Sequence, residues 1–133
     1  MNNNIMENNS KYQEFIKNNS GSGNLKIRAY AANGAIPIQN MNVVVSTIID
    51  DNNVVFFDGY TDESGMIQNI SLPTPSIDSN NLNIPASIFY YITVSYEPEN
   101  YFQEFKINMY DGICVVQNIV VLPNNIERRY YGN

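Results

Sequence analysis

The chain has 133 residues and a net charge of −6, with 44% hydrophobic and 15% charged residues. This length fits one domain with a sizeable core. An acidic chain without a basic patch argues against nucleic-acid binding. There is no histidine, so the commonest general base and metal ligand is missing, and the one cysteine, Cys114, rules out an intrachain disulfide. We therefore expect a non-enzymatic domain without a cofactor, a bound metal or a nucleic-acid partner.

The first 23 residues read as a flexible, polar, asparagine-rich lead. Within it, residues 12–16 (YQEFI) have the pattern of one short helical turn, and residues 18–23 (NNSGSG) have the composition of a linker. The N-terminus lacks the positive start and apolar core of a secretory signal, and no apolar run reaches the length of a membrane span. These features predict synthesis in the cytoplasm without a signal peptide and without membrane insertion.

Seven apolar segments, several of them alternating with period two, predict strands. In the first segment Leu25, Ile27 and Ala29 share one face, as in a half-buried strand. Pro37 lies in a further extended stretch, but it has no backbone donor and so excludes a central strand there. The predicted strands are 25–30, 41–49, 54–60, 66–72, 88–96, 101–109 and 113–122.

Turn-forming residues separate these segments. Asn40 is expected in the left-handed backbone region, which asparagine tolerates. Residues 50–53 (DDNN) predict a hairpin turn, and residues 61–65 (TDESG) predict a tight turn that ends in glycine. The Asp111-Gly112 pair predicts a second hairpin.

About seven strands, with no helix-period segment long enough to cover a sheet, predict an all-β fold. Two antiparallel sheets then have to cover each other, which is a β-sandwich. We place this domain at residues 24–123 and a loose tail at 124–133. Residues 73–85, with three prolines, predict a long surface loop that is the most variable part of the domain.

Several motifs resemble a known family. Residues 23–27 (GNLKI), 35–40 (AIPIQN) and 61–65 (TDESG) resemble, in order and spacing, the carboxypeptidase regulatory-like, or transthyretin-like, domains. The chain departs from that family at Asn40, where glycine is usual, and before Tyr101, where glycine is also common. Asparagine can take the place of glycine at a positive φ angle, so both departures are compatible with the fold.

Other segments look like the version of this domain found in spore-forming Clostridia and their relatives. These are residues 12–16 (YQEFI), 72–75 (LPTP), 110–113 (YDGI) and 117–123 (QNIVVLP). There the module occurs alone or beside spore cortex-lytic and peptidoglycan-binding domains. The resemblance implies a transthyretin-like (prealbumin-like) Greek key and a spore-associated context, and it brings no catalytic residues to transfer.

The side chains that could carry out catalysis, one cysteine and several carboxylates, are better explained by structural roles. Cys114 lies within an apolar strand and has no histidine to activate it, so we expect a buried structural thiol. The carboxylates fall almost entirely in predicted turns, where neither a catalytic pair nor a calcium site of known spacing is indicated. These carboxylates are Asp50, Asp51, Asp58, Asp62, Glu63, Glu97, Glu99 and Asp111.

Aromatic side chains crowd the two predicted strands 88–96 and 101–109. One parity of each strand should fill the core, and the other should expose tyrosine rings that can stack on a sugar or on a partner protein. The alternative is that tyrosine covers an outer face because of its strand propensity. The residues assigned to a binding surface are Tyr90, Tyr96, Tyr101 and Tyr110.

Together these observations predict a non-catalytic interaction or structural module, associated with spore assembly or with the spore cortex. Its partner is expected to be a protein or peptidoglycan. The alternative is a carbohydrate-binding or cell-surface adhesion sandwich, which would require an exposed aromatic strip and export of the chain.

Overall fold

The computed structural model of the chain describes residues 2–31, 34–77 and 86–122. Within these residues one helix is followed by eight strands, and a short 3₁₀ helix, Glu97–Glu99, lies between the sixth and seventh strands. The elements are α1 (Asn2–Asn18), β1 (Gly21–Ala31), β2 (Ile36–Pro37), β3 (Asn42–Ile49), β4 (Asn52–Tyr60), β5 (Met66–Thr74), β6 (Ser87–Tyr96), β7 (Tyr101–Tyr110) and β8 (Cys114–Val121).

The strands form two sheets. In sheet 1, β1 is central: β5 and the two-residue β2 pair antiparallel with it, and β8 pairs parallel with it. In sheet 2 the order is β4-β3-β6-β7, with every neighbour antiparallel. The predicted all-β sandwich is therefore confirmed. The prediction of uniformly antiparallel sheets was wrong in one place, because β8 runs parallel to β1.

The core lies between the sheets and follows the period-two pattern of the strands. On β1 the predicted inward set, Leu25, Ile27 and Ala29, is fully buried, and on β6 every second residue from Tyr90 to Val94 is buried. The two sets face each other across the sandwich together with buried residues of β3, β5, β7 and β8. The largest buried side chains include Leu25, Ile27, Met41, Leu72, Tyr90, Ile92, Met109 and Ile119.

The predicted hairpin at Asp111-Gly112 is wrong. Strands β7 and β8 belong to different sheets, so these two residues carry the chain from sheet 2 to sheet 1. Gly112 has φ 77°, and its N–H donates to the carbonyl oxygen of Ser22. The next carbonyl, that of Ile113, accepts from Asn24 and so begins the parallel pairing of β8 with β1. The turn signal was correct, but it did not determine which strand β8 would pair with.

Other turns follow the sequence. Asn40 has φ 68°, in the left-handed region as predicted. Asp50 and Asp51 have φ 55° and 68°, the combination that a two-residue hairpin between β3 and β4 requires. Pro37 lies on an edge, where β2 pairs with β1 alone.

The N-terminal helix is longer than the single turn predicted, and β1 begins at Gly21 inside the stretch that was assigned to a linker. The aromatic rings of Tyr12 and Phe15 each lie 5.7 Å from the ring of Phe56, the extra residue of a bulge on β4. Lys11 forms an ion pair with Asp50.

No helix of the described ranges has the length and apolar character needed to cross a membrane. Two predicted segments lie outside the described residues. They are the tail, 124–133, and residues 78–85 of the loop that was predicted over 73–85.

Candidate functional site

Two hollows lie at opposite ends of β6 and β7. One is at the end where β6 stops and β7 begins, and we call it the polar hollow. It has a volume of about 440 Å³ and is lined by Gln39, Asn40, Asn42, Tyr60, Ser95, Tyr96, Glu97 and Pro98. The other is at the end where β6 begins and β7 stops, and we call it the apolar pocket. It has a volume of about 360 Å³ and is lined by Pro75, Ser76, Ile77, Ala86, Tyr110, Asp111 and Ile113.

The polar hollow is built on the ends of three neighbouring strands of sheet 2. Asn42 of β3 pairs with Tyr60 of β4 on one side and with Ser95 of β6 on the other. Residues directly opposite each other in antiparallel strands share a face. Since Val43 and Val94 point into the core, this row of side chains points out of the sandwich. The side chain of Tyr60 is 64% exposed.

Hydrogen bonds fix the amide of Asn42 in this row. The amide nitrogen of Asn42 donates to the Oδ1 atom of Asp58 at 3.0 Å and to the carbonyl oxygen of Gly59 at 3.1 Å. Both partners lie on β4, so the amide is held beside the ring of Tyr60. A fixed amide next to an exposed ring offers a ligand an oriented polar group and a flat apolar surface together.

A buried threonine fixes the loop that borders the hollow. The Thr61 hydroxyl donates to the carbonyl oxygen of Ile38 at 2.6 Å and accepts from the backbone N–H of Met41 at 3.0 Å. The backbone of Thr61 completes the link, because its carbonyl accepts from Asn40 and its N–H donates to Met41. The wall formed by residues 39–42 is thus bonded to the end of β4.

The apolar pocket depends on one carboxylate for its shape. The oxygens of Asp111 accept from the backbone N–H of Ser22 at 3.1 Å and of Ile77 at 2.9 Å. These two backbone donors hold the pKa of the Asp111 carboxyl below its ordinary value. The carboxylate thereby joins the start of β1, the chain after β5 and the crossing between the sheets. The side chains of Ile77 and Ile113 are both exposed on the rim of this pocket.

The four tyrosines predicted as a binding surface are not together. Assigning Tyr90 to that surface was wrong: it is fully buried, its hydroxyl donates to the carbonyl oxygen of Pro73 at 2.6 Å, and burial raises the pKa of the phenol. Tyr96 and Tyr101 are cross-strand partners, half-buried against the core, and Tyr96 also lines the polar hollow. Tyr110 lines the apolar pocket at the opposite end of β7.

Sequence reasoning missed Tyr60, Asn42 and Ser95 as members of one row. Each lies at the end of a different strand, and nothing in the local sequence states which strand ends are neighbours. The sequence does hold one signal: side chains alternate between the two faces along each strand, and this alternation places all three residues on the face opposite the core. Only the register between the strands brings them side by side.

The candidate catalytic groups are dispersed. Each hollow has a single carboxylate in its lining, Glu97 in one and Asp111 in the other. Asp62 accepts from the N–H groups of Ser64 and Met66 and so holds the turn before β5. Across the described part of the chain, no group of three or more His, Cys, Asp or Glu side chains is placed to hold a metal ion.

The expectation that Cys114 is buried was wrong. Its side chain is exposed, because Cys114 lies in the outward parity of β8, and its sulfur lies 4.0 Å from the Oδ1 atom of Asn24. An apolar neighbourhood in sequence therefore did not mean burial at this position. With no histidine in the chain, an exposed thiol here still has no base of that type beside it.

No family model matches this chain, and no curated protein matches it. Among solved structures it is similar to 5-hydroxyisourate hydrolase of Klebsiella pneumoniae, with a TM-score of 0.48 and 14% sequence identity. The similarity covers 76% of this chain and 91% of that chain. The sandwich is established by the two sheets described above.

Proposed function

We propose that this chain is a non-catalytic binding module that holds peptidoglycan, and that it works in the spore of a spore-forming bacterium. The polar hollow is the observation that supports ligand binding. It combines the exposed ring of Tyr60 with the amides of Gln39, Asn40 and Asn42. Aromatic faces and amides suit a ligand made of sugar rings, hydroxyls and acetamido groups, because amides both donate and accept hydrogen bonds.

The non-catalytic part of the proposal is supported by what surrounds the acidic groups. Glycoside hydrolysis ordinarily needs two carboxylates that face one bond, and each hollow offers one. Asp62 and Asp111 use their oxygens to bond backbone N–H groups, and Asp58 accepts from Asn42. These groups stabilise turns and orient a neighbour.

The spore context is supported by the motif order in the sequence, above all residues 110–113 and 117–123. It is tested separately from binding. Antibody detection of the protein should rise during sporulation and follow the spore fraction. A protein made at equal level in vegetative cells and absent from spores would refute this part of the proposal and leave the binding part standing.

The binding experiment is co-sedimentation with purified cortex peptidoglycan. We expect the wild-type protein to sediment with it and Tyr60→Ala to remain largely in the supernatant. The matched control is Phe89→Ala, which removes an exposed ring, 48% exposed, from the same face of sheet 2 at its other end. Absence of wild-type sedimentation, or equal loss in both variants, would contradict peptidoglycan binding at the polar hollow.

A second candidate is a protein partner that inserts an apolar side chain into the apolar pocket. The observation in its favour is the pair of exposed side chains, Ile77 and Ile113, beside a preformed pocket. If a protein from sporulating cells is bound there, Ile113→Asp should abolish its binding while Tyr60→Ala leaves it intact. The reverse pattern would assign that partner to the polar hollow instead.

Cell-surface carbohydrate binding remains the alternative to a spore role. It would use the same ring and amides of the polar hollow, so it differs in location and not in chemistry. Protein detected on the surface of intact vegetative cells would favour it over the spore.

A further inference from the structure

The two most exposed large apolar side chains of the described residues stand at the two ends of one row across sheet 2. They are Phe102, which is 69% exposed, and Tyr60, which is 64% exposed. Register places Ser95 opposite Phe102, and Asn42 lies between Ser95 and Tyr60. From Tyr60 to Phe102 the row therefore consists of an aromatic ring, an amide, a hydroxyl and a second aromatic ring, with one residue from each of the four strands of sheet 2.

The row is long enough for an extended ligand. Adjacent strands lie about 4.8 Å apart, so three intervals put the Cα atoms of Tyr60 and Phe102 roughly 14 Å apart. Phe102 is not part of the lining of the polar hollow, so the row extends the hollow across β7 to the edge of the sheet. A ligand that contacts both rings must lie across the strands.

From this geometry we infer that Tyr60 and Phe102 are the two stacking positions of a platform for a glycan strand, which crosses sheet 2 perpendicular to the β-strands. This inference rests on the proposed function and specifies which part of peptidoglycan is recognised. The C–H groups on the flat face of a sugar ring carry partial positive charge, which the π-face of an aromatic ring attracts. Between the rings, the Oδ1 atom of Asn42 can accept hydrogen bonds from the sugars, since its N–H groups bond Asp58 and Gly59. The Ser95 hydroxyl can donate or accept hydrogen bonds with their hydroxyls and acetamido groups.

The charges around the row favour the sugar backbone over the stem peptide. The lining of the polar hollow contains Glu97 and no Lys or Arg, and Asp58 lies beside Asn42. On β7 the next outward residue after Phe102 is Glu104. The free carboxylates of a stem peptide would be repelled by this surface, whereas a neutral glycan face would not.

The experiment is calorimetric titration with N-acetylglucosamine oligomers of increasing length, which are sugar chains without charge. We expect Phe102→Ala to weaken binding of long oligomers by roughly three- to tenfold, the range of one aromatic contact, and to leave the shortest oligomer unchanged. Tyr60→Ala should weaken all lengths. Phe102→Tyr retains the ring and should bind as the wild type does.

The matched control is again Phe89→Ala. Phe89 lies on the same outer face, six residues along β6 from Ser95, which is roughly 20 Å from the row. The Phe89→Ala variant should bind every oligomer as the wild type does. Thermal unfolding of each variant establishes that it is folded, and the exposed position of Phe102 makes a folding defect there unexpected.

The outcomes separate the two proposals. If intact peptidoglycan sediments with the protein but no N-acetylglucosamine oligomer binds, the glycan platform is refuted and the proposed function stands. If the oligomers bind and Phe102→Ala equals the wild type at every length, the second stacking position is refuted. If neither intact peptidoglycan nor any oligomer binds, the proposed function fails and this inference fails with it.

Discussion

The hydroxyl of Tyr90 donates a hydrogen bond to the carbonyl oxygen of Pro73 across the interior of the sandwich, at 2.6 Å. Tyr90 lies on β6 of sheet 2 and Pro73 on β5 of sheet 1, so this bond joins the two layers through a side chain. The ring of Tyr90 also meets the ring of Phe56 edge to face, with centroids 5.6 Å apart. Phe56 in turn contacts both aromatic rings of helix α1, so Tyr90 links the helix, sheet 2 and sheet 1.

The first prediction follows from that bond. Tyr90→Phe keeps the ring but leaves the Pro73 carbonyl without its partner, which should lower the free energy of unfolding by about 1–3 kcal/mol. Urea unfolding monitored by circular dichroism measures the change. Tyr91→Phe is the control, because Tyr91 is the next residue on the same strand and points out of the core. Equal stability of Tyr90→Phe and wild type would show that the bond contributes nothing.

The core was predictable because its signal is local. Alternation on β1 placed Leu25, Ile27 and Ala29 inside, and all three are buried. Tyr90 was assigned to the wrong side, although it shares the parity of Ile92 and Val94, because a tyrosine hydroxyl is usually expected in water. Here the Pro73 carbonyl satisfies that hydroxyl, and Pro73 is far from it in sequence.

The candidate site was less predictable because its signal is not local. Tyr60, Asn42, Ser95 and Phe102 come from four strands, and each is unremarkable within its own segment. Their alignment depends on strand order and register, which non-local pairing determines. The parallel pairing of β8 was missed for the same reason: Asp111 and Gly112 specify a turn, while the bonds to Ser22 that direct β8 to β1 come from the other end of the chain.

The second prediction concerns the threonine that fixes the wall of the polar hollow. Thr61→Val keeps the side-chain shape but leaves the Ile38 carbonyl and the Met41 N–H without the Thr61 hydroxyl, in a buried position. The free energy of unfolding should fall by about 2 kcal/mol or more. Hydrogen exchange at the Met41 N–H should also become faster, because this N–H loses the Thr61 hydroxyl as its acceptor. The other bond between the two residues runs from the Thr61 N–H to the Met41 carbonyl and does not protect the Met41 N–H. Unchanged exchange at Met41 would contradict this account of the loop.

The third prediction concerns acid. Two backbone donors lower the pKa of Asp111 from its ordinary value of 3.8. A carboxyl with a depressed folded-state pKa stabilises the fold above the unfolded value, and this contribution is lost as pH falls through the folded value. Asp111→Asn should therefore be less stable than the wild type at pH 7, and the difference should shrink as pH falls below 3.8.

Urea unfolding of both proteins between pH 7 and pH 2 measures that difference. No further control variant is needed, because the two proteins share every other titratable group and those groups affect both unfolding free energies alike. A difference that stays constant over the whole range would show that Asp111 acts by shape and polarity alone, without a contribution from its charge.

The fourth prediction compares two glycines with nearly the same backbone conformation. Gly65 has φ 76° and Gly112 has φ 77°, so alanine at either position meets a similar conformational cost of about 1–2 kcal/mol. Their surroundings differ. A Cβ atom at Gly112 would have no heavy atom within 4 Å, whereas a Cβ at Gly65 would collide with the carbonyl oxygen of Ala29 and lie 3.0 Å from the backbone nitrogen of Ile38.

Gly112→Ala should therefore lose the conformational cost alone, and Gly65→Ala should lose at least about 1–3 kcal/mol more, the cost of forcing an atom into packed backbone. The extra loss arises because Gly65 also accepts the Ala29 N–H at 2.7 Å, so a shift at one residue disturbs the pairing of β1 with the turn before β5. Urea unfolding of the two single variants measures the difference directly. If both lose the same stability, the close approach at Gly65 relaxes without cost, and the turn is held by its backbone conformation and not by its packing against β1.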